Sequence, residues 1–165
     1  MPTAARRTRS APAIDIAVAS PLWRNAPRAA AVIRRAIGAA AETTDAIAPP
    51  SELAVMLCDD AAMRDLNGRW RGRPEPTNVL SFPAVAGTGT LGDIAIAYET
   101  TAREAHAEGK PFGDHLSHLA VHGFLHLLGY DHESDAEAAA MERLETTILA
   151  RLGIADPYAK HGTAT

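Results

Sequence analysis

At 165 residues, with 47% hydrophobic and 22% charged residues, the chain is expected to form one domain with a substantial core. Its net charge of −4 excludes a generic, strongly basic nucleic-acid binder, so a nucleic-acid substrate would need a local basic patch. The single cysteine, Cys58, excludes an internal disulfide framework, and no apolar run is long enough to span a bilayer. A cytoplasmic protein without a membrane partner is the resulting expectation.

In chain order, residues 1–12 read as a disordered basic tail, because Pro12 and Asp15 interrupt any targeting-type hydrophobic region. "IDIAVAS" (14–20) alternates with period two and reads as a strand. Pro27 opens a helix over about 27–41, with Ala29, Val32, Ile33, Ala36 and Ile37 on one face. "ELAVMLC" (52–58) is a buried strand, and Asp59 caps a short helix over 60–67. "GRWRGRPEP" (68–76) reads as loop, and "NVLSF" (78–82) as a strand stopped by Pro83. "DIAIAY" (93–98) is the fourth strand. Helices follow over about 99–108, 114–128 and 135–152, the last opened by the capping pattern of Ser134 and Glu137 and closed by Gly153. Residues 156–165 read as a loose tail. The order predicts an α+β fold, a single domain over 13–155 with a small mixed four-stranded sheet covered by about five helices.

The chemistry concentrates in "HGFLHLLGYDH", residues 122–132. On a helix, four residues advance about 400° and about 6 Å, so His122 and His126 leave the same face one turn apart. Gly129 can end the helix in a left-handed conformation and let the chain bring His132 back to the pair. Three protein ligands leave a coordination position open, as in catalytic zinc sites, whereas structural sites close with four. His118, one turn before His122, is a candidate catalytic, supporting or fourth-ligand residue, and His115 a second candidate for closing the site. Asp131 either orients a ligating imidazole or bonds its own turn. His106 and His161 stand apart.

In zinc proteases the residue after the first histidine is the glutamate that activates water. Here it is Gly123, and no carboxylate in the motif replaces it by spacing. Phosphodiester cleavage makes a different demand, since its main need is neutralisation of developing negative charge. The segment 64–83 offers cations for this in Arg64, Arg69, Arg71 and Arg73, with Trp70 either a base-stacking indole or a core anchor.

The segments "LNGRWRG" (66–72), "PTNVLSFP" (76–83), "LGDIAIA" (91–97) and "HLAVHGFLHLLGYDH" (118–132) resemble the YbeY endoribonucleases, bacterial ribosomal-RNA maturation factors. The resemblance covers about 50–153 and, more loosely, 14–49. It implies an α+β fold, one zinc ion held by His122, His126 and His132, a functional arginine at Arg71 and a motif histidine at His118. It further implies action on single-stranded RNA, in small-subunit ribosomal RNA maturation and ribosome quality control, with precursor rRNA and the ribosome or its proteins as partners. Asn78 departs from the pattern, which implies aspartate there. Two alternatives stay open: a zinc metalloprotease, and a non-catalytic ribosome assembly factor with a structural zinc.

Overall fold

The computed structural model describes residues 11–44, 51–72, 77–85 and 87–159. Most of the expected basic tail, residues 1–10, lies outside this range, as do Arg73 and His161. The elements run β1 (Ala13–Val18), a 3-10 turn (Pro21–Asn25), α1 (Ala29–Thr43), β2 (Glu52–Cys58), α2 (Asp60–Arg71), β3 (Val79–Pro83), β4 (Thr90–Ala97), α3 (Tyr98–Ala107), α4 (Phe112–Leu127) and α5 (Asp135–Arg151). This is the expected α+β domain, with four strands and five helices in the expected order. Among the described residues, no helix is long and apolar enough to cross a membrane.

The strands form one mixed sheet in the order β1-β2-β4-β3. β1 and β4 both run parallel to β2, and β3 runs antiparallel to β4. Alternation along β2 and β4 divides the core between two faces. Leu53, Val55, Leu57, Ile94 and Ile96 pack with Ile33, Ile37, Phe124 and Leu149 from α1, α4 and α5. Cys58, Ala95 and Ala97 face the other way, with Met63 of α2 and Leu80 of β3. Helices α2 and α5 are started by the expected side chains, Asp59 accepting from the Ala62 amide at 2.9 Å and Ser134 from the Glu137 amide at 3.1 Å.

Two local expectations change. The 3-10 turn at 21–25 was not anticipated; it buries Trp23, whose indole N–H donates to the Cys58 carbonyl at 2.8 Å. More consequentially, α2 does not stop at residue 67 but runs to Arg71. Gly72 ends it at φ 66°, its amide bonding the Asn67 carbonyl. Arg69, Trp70 and Arg71 therefore project from a helix rather than a loop, where their directions are fixed.

Cys58 is fully buried, and burial, with the charge of Asp59 next to it, pushes its thiol up to about 11. Raised from 9.0, it holds roughly 10² less thiolate at pH 8 than an ordinary cysteine. A thiol reagent should therefore label the native chain only as fast as it unfolds, and label it at once in denaturant. Rapid native labelling would contradict this packing.

Candidate active site

Helix α4 carries the first two histidines because its other faces are consumed by packing. Leu116, Leu119, Ala120, Phe124 and Leu125 are buried in the main core. Gly123 faces the sheet, where a Cβ would come within 3.1 Å of Ile94 Cγ2 and 3.2 Å of both Ser81 Oγ and Val79 Cγ2. The Ser81 hydroxyl donates to the Gly123 carbonyl at 2.9 Å across this close approach. The position that carries glutamate in a zinc protease is thus pressed against the sheet, and even a methyl there would need its neighbours to give by a few tenths of an ångström.

His122 and His126 remain on the open face, their Nε2 atoms 3.0 Å apart. The chain turns after α4 with Gly129 at φ 97°, a conformation that favours glycine, and returns His132 to the pair. One ligand atom from each of His122, His126 and His132 lies within 4.8 Å of the others, and among the described residues this is the one group that could hold a metal. Asp131 resolves as a turn residue: its carboxylate accepts from the His132 amide at 2.8 Å and stays 3.9 Å from the ring.

The donor set fits a metal cation. His122 Nδ1 bonds Glu145 Oε1 at 2.7 Å, so a neutral His122 presents a bare lone pair at Nε2. Two such nitrogens 3.0 Å apart need something positive between them, a shared proton or a shared cation. Burial, then the neighbouring His122 and His132, lowers the pKa of His126, which favours the neutral ring that ligates.

His118 lies one turn back, yet it is not among the residues lining the cleft. Its Nε2 bonds Glu145 Oε2 at 2.7 Å and approaches the Tyr158 hydroxyl at 3.2 Å. His115 is buried and bonds Glu104 at 2.9 Å, so neither supplies a fourth ligand. Glu145, on α5, was not singled out from the sequence. It is fully buried; burial alone would raise its pKa, but hydrogen bonds from His118, His122 and Tyr158 hold it at about 2. A signal existed, because Met141, Glu145, Ile148 and Leu149 form one buried stripe of α5, and a carboxylate inside an apolar stripe needs partners. Tyr158 also lies in the segment expected to be loose. Asp156 fixes it there, accepting from the Tyr158 amide at 2.8 Å and the Thr146 hydroxyl at 3.2 Å.

The histidines open onto a cleft of about 970 Å³, lined also by Asn67, Arg71, Asn78, Ser81 and the turn 129–133. Of the three described arginines of this segment, Arg71 reaches this cleft, with Nη2 donating to the Ser81 carbonyl at 3.2 Å. Arg69 pairs with Asp65 at 3.2 Å on the outer surface. Trp70 turns away as well, 69% exposed and edge-on to Phe82, beside a separate groove on the sheet. The core-anchor expectation therefore fails, while the exposed indole is free of the core and stands outside the histidine cleft. The Asn78 amide donates to Glu104 at 2.9 Å, a contact that an aspartate would turn into carboxylate against carboxylate.

Fold and site together define an α+β protein with an open three-histidine centre and, among the described residues, one arginine facing it. A family model described as Endoribonuclease YbeY matches residues 23–153. Among curated proteins, an Endoribonuclease YbeY of Bradyrhizobium sp. (strain BTAi1) is 60% identical over 157 residues, covering 90% of this chain and 93% of the relative. Another, from Rhodopseudomonas palustris (strain BisA53), is 58% identical over 161 residues, covering 93% and 94%. A Thermotoga maritima protein solved in solution aligns with 89% of this chain and 99% of its own, at 23% identity and a TM-score of 0.45. The chain belongs to the YbeY endoribonuclease family.

Proposed function

We propose that the protein is a zinc-dependent endoribonuclease that cleaves single-stranded RNA. The observation that carries this reading is the shared cleft: the guanidinium of Arg71 and three convergent imidazoles face one space of about 970 Å³. His122, His126 and His132 would hold the ion, since three neutral nitrogen donors suit zinc. When bound, zinc supplies Lewis-acid activation of water and of a phosphate oxygen. The chain's own contribution is to place charge. Arg71 extends from the end of a rigid helix, tethered by one nitrogen to the Ser81 carbonyl, and its remaining donors can take a phosphate oxygen. No carboxylate occupies the protease position at Gly123, which weighs against peptide hydrolysis. His118 and His115 are bonded to carboxylates away from the cleft, which weighs against a closed structural site.

Precursor small-subunit ribosomal RNA is the proposed substrate, with ribosome quality control as a related role and the ribosome or its proteins as partners. Family membership supports this. So does the net charge of −4, with Asp131 and Glu133 on the cleft rim, because free RNA gains little from one local cation and a partner must help deliver it. The proposed compartment is the cytoplasm, supported by the lone buried cysteine.

The test is cleavage of an end-labelled single-stranded RNA by matched preparations. Arg71→Ala should cut about 10²–10³-fold more slowly, the usual loss for one transition-state donor, while metal content and melting temperature stay unchanged. Arg71→Lys should recover part of the rate, since it keeps the charge and loses the fork. Cleavage by Arg71→Ala at the parental rate would remove the arginine from the mechanism.

A further inference from the structure

We infer that Glu145 is a positioning residue of the metal centre, holding His122 in the tautomer that ligates through Nε2 and itself held from behind by His118 and Tyr158. This inference rests on the proposed metal site and deepens it.

Three polar groups converge on one buried carboxylate. His122 Nδ1 reaches Oε1 at 2.7 Å, His118 Nε2 reaches Oε2 at 2.7 Å, and the Tyr158 hydroxyl donates to the same Oε2. An ionised carboxylate only accepts, so all three partners must donate. His122 then carries its proton on Nδ1 and turns a bare Nε2 towards His126. His118 carries its proton on Nε2. The free nitrogen of His118 agrees: Nδ1 is buried without a hydrogen-bond partner, which costs less for a bare acceptor than for an unpaired N–H.

The arrangement spans three separate parts of the chain. α4 supplies both histidines, α5 supplies Glu145, and the turn after α5 supplies Tyr158, fixed by Asp156. A buried carboxylate with no function would be a liability at this position, where an apolar residue would complete the α5 stripe. Here it gives the one cleft histidine it touches a defined ring orientation and a more basic ligand atom. His118 and Tyr158 touch the carboxylate rather than the cleft, so they act on the reaction through Glu145.

The experiment uses the full chain stripped of metal and titrated with Zn²⁺ against a chromophoric chelator. Glu145→Gln should bind zinc about 10–100-fold more weakly, because an amide can offer only one acceptor oxygen and presents N–H to the other ring. Tyr158→Phe should weaken binding by a smaller factor in the same direction. Wild-type affinity in Glu145→Gln, with the variant folded by circular dichroism, would overturn the inference. If Glu145→Gln does not fold, nitrogen-15 spectra of the metal-free wild type decide. His122 protonated at Nδ1 and His118 at Nε2 is the expected result, and His122 protonated at Nε2 overturns it. If the wild-type chain takes up no zinc, the metal reading itself falls and takes this inference with it.

Discussion

Replacing His126 by alanine should lower RNA cleavage by at least ~10³-fold, the scale of the several kcal/mol a catalytic metal contributes. The expectation follows from where this ring sits; besides the histidine cluster it bonds the Tyr130 backbone, at the turn after α4. It opens onto the cleft, 3.0 Å from the His122 nitrogen, while its helix is held in the core by Phe124, Leu125 and Leu119. Circular dichroism should be unchanged, and bound zinc should fall well below one ion per chain. The pH behaviour has a definite sign. Burial, with His122 and His132 beside it, holds the His126 pKa below its ordinary value, so the folded chain favours the neutral form of this ring. Below pH ~6.5 the unfolded chain takes up this proton before the folded one, and the metal-free domain loses stability as pH falls. His126→Ala should lack that contribution. RNA cleavage by the variant at the parental rate, from a preparation free of contaminating nuclease, would place the active centre elsewhere.

Installing the protease glutamate, Gly123→Glu, should unfold the domain rather than convert it. A Cβ already meets side-chain atoms of Ile94, Ser81 and Val79 at 3.1–3.2 Å, so three neighbours on the sheet would have to give way at once. The longer side chain would bring a carboxylate into that packing with no partner, for about 4 kcal/mol or more. A melting temperature lowered by ~10 °C or more, or an insoluble product, is expected. Gly123→Ala should cost less, about 1–3 kcal/mol of overpacking, partly offset by alanine's better helix propensity. A soluble, fully stable Gly123→Glu with peptidase activity would reinstate the protease reading.

Much of this was legible in the sequence, for reasons that differ by element. The convergence of the three histidines was readable because its geometry is local: helical period places two of them, and a glycine turn places the third. The order of strands and helices was readable from alternation and helical periodicity. The strand pairing was not, since β2 joins β1 and β4 in parallel across long crossovers that no local pattern encodes. Arg71 stands on a helix rather than in the loop expected to open at Gly68. The helix continues through it, with Met63 packed beneath the sheet and Gly72 waiting as the true stop. Trp70 and Arg71 then separate by about 100° around the axis, which is why only one of them faces the histidines. Glu145 escaped because its partners lie 23 and 27 residues away on another helix.

The local character of the triad has a thermodynamic consequence. His122, His126 and His132 fall within eleven residues, so a denatured chain still carries all three within easy reach of one ion. If the proposed zinc binds, the two states compete for it. What it would lend to folding would be set by the ratio of the two affinities, not by the tightness of the native site. That ratio depends on what only the folded chain supplies: a helix that aligns two imidazoles, and a carboxylate from α5 that fixes one of them. On the proposed metal site, the ion would then add less to folding than the tightness of the native site suggests, unlike the obligatory metal of a zinc finger.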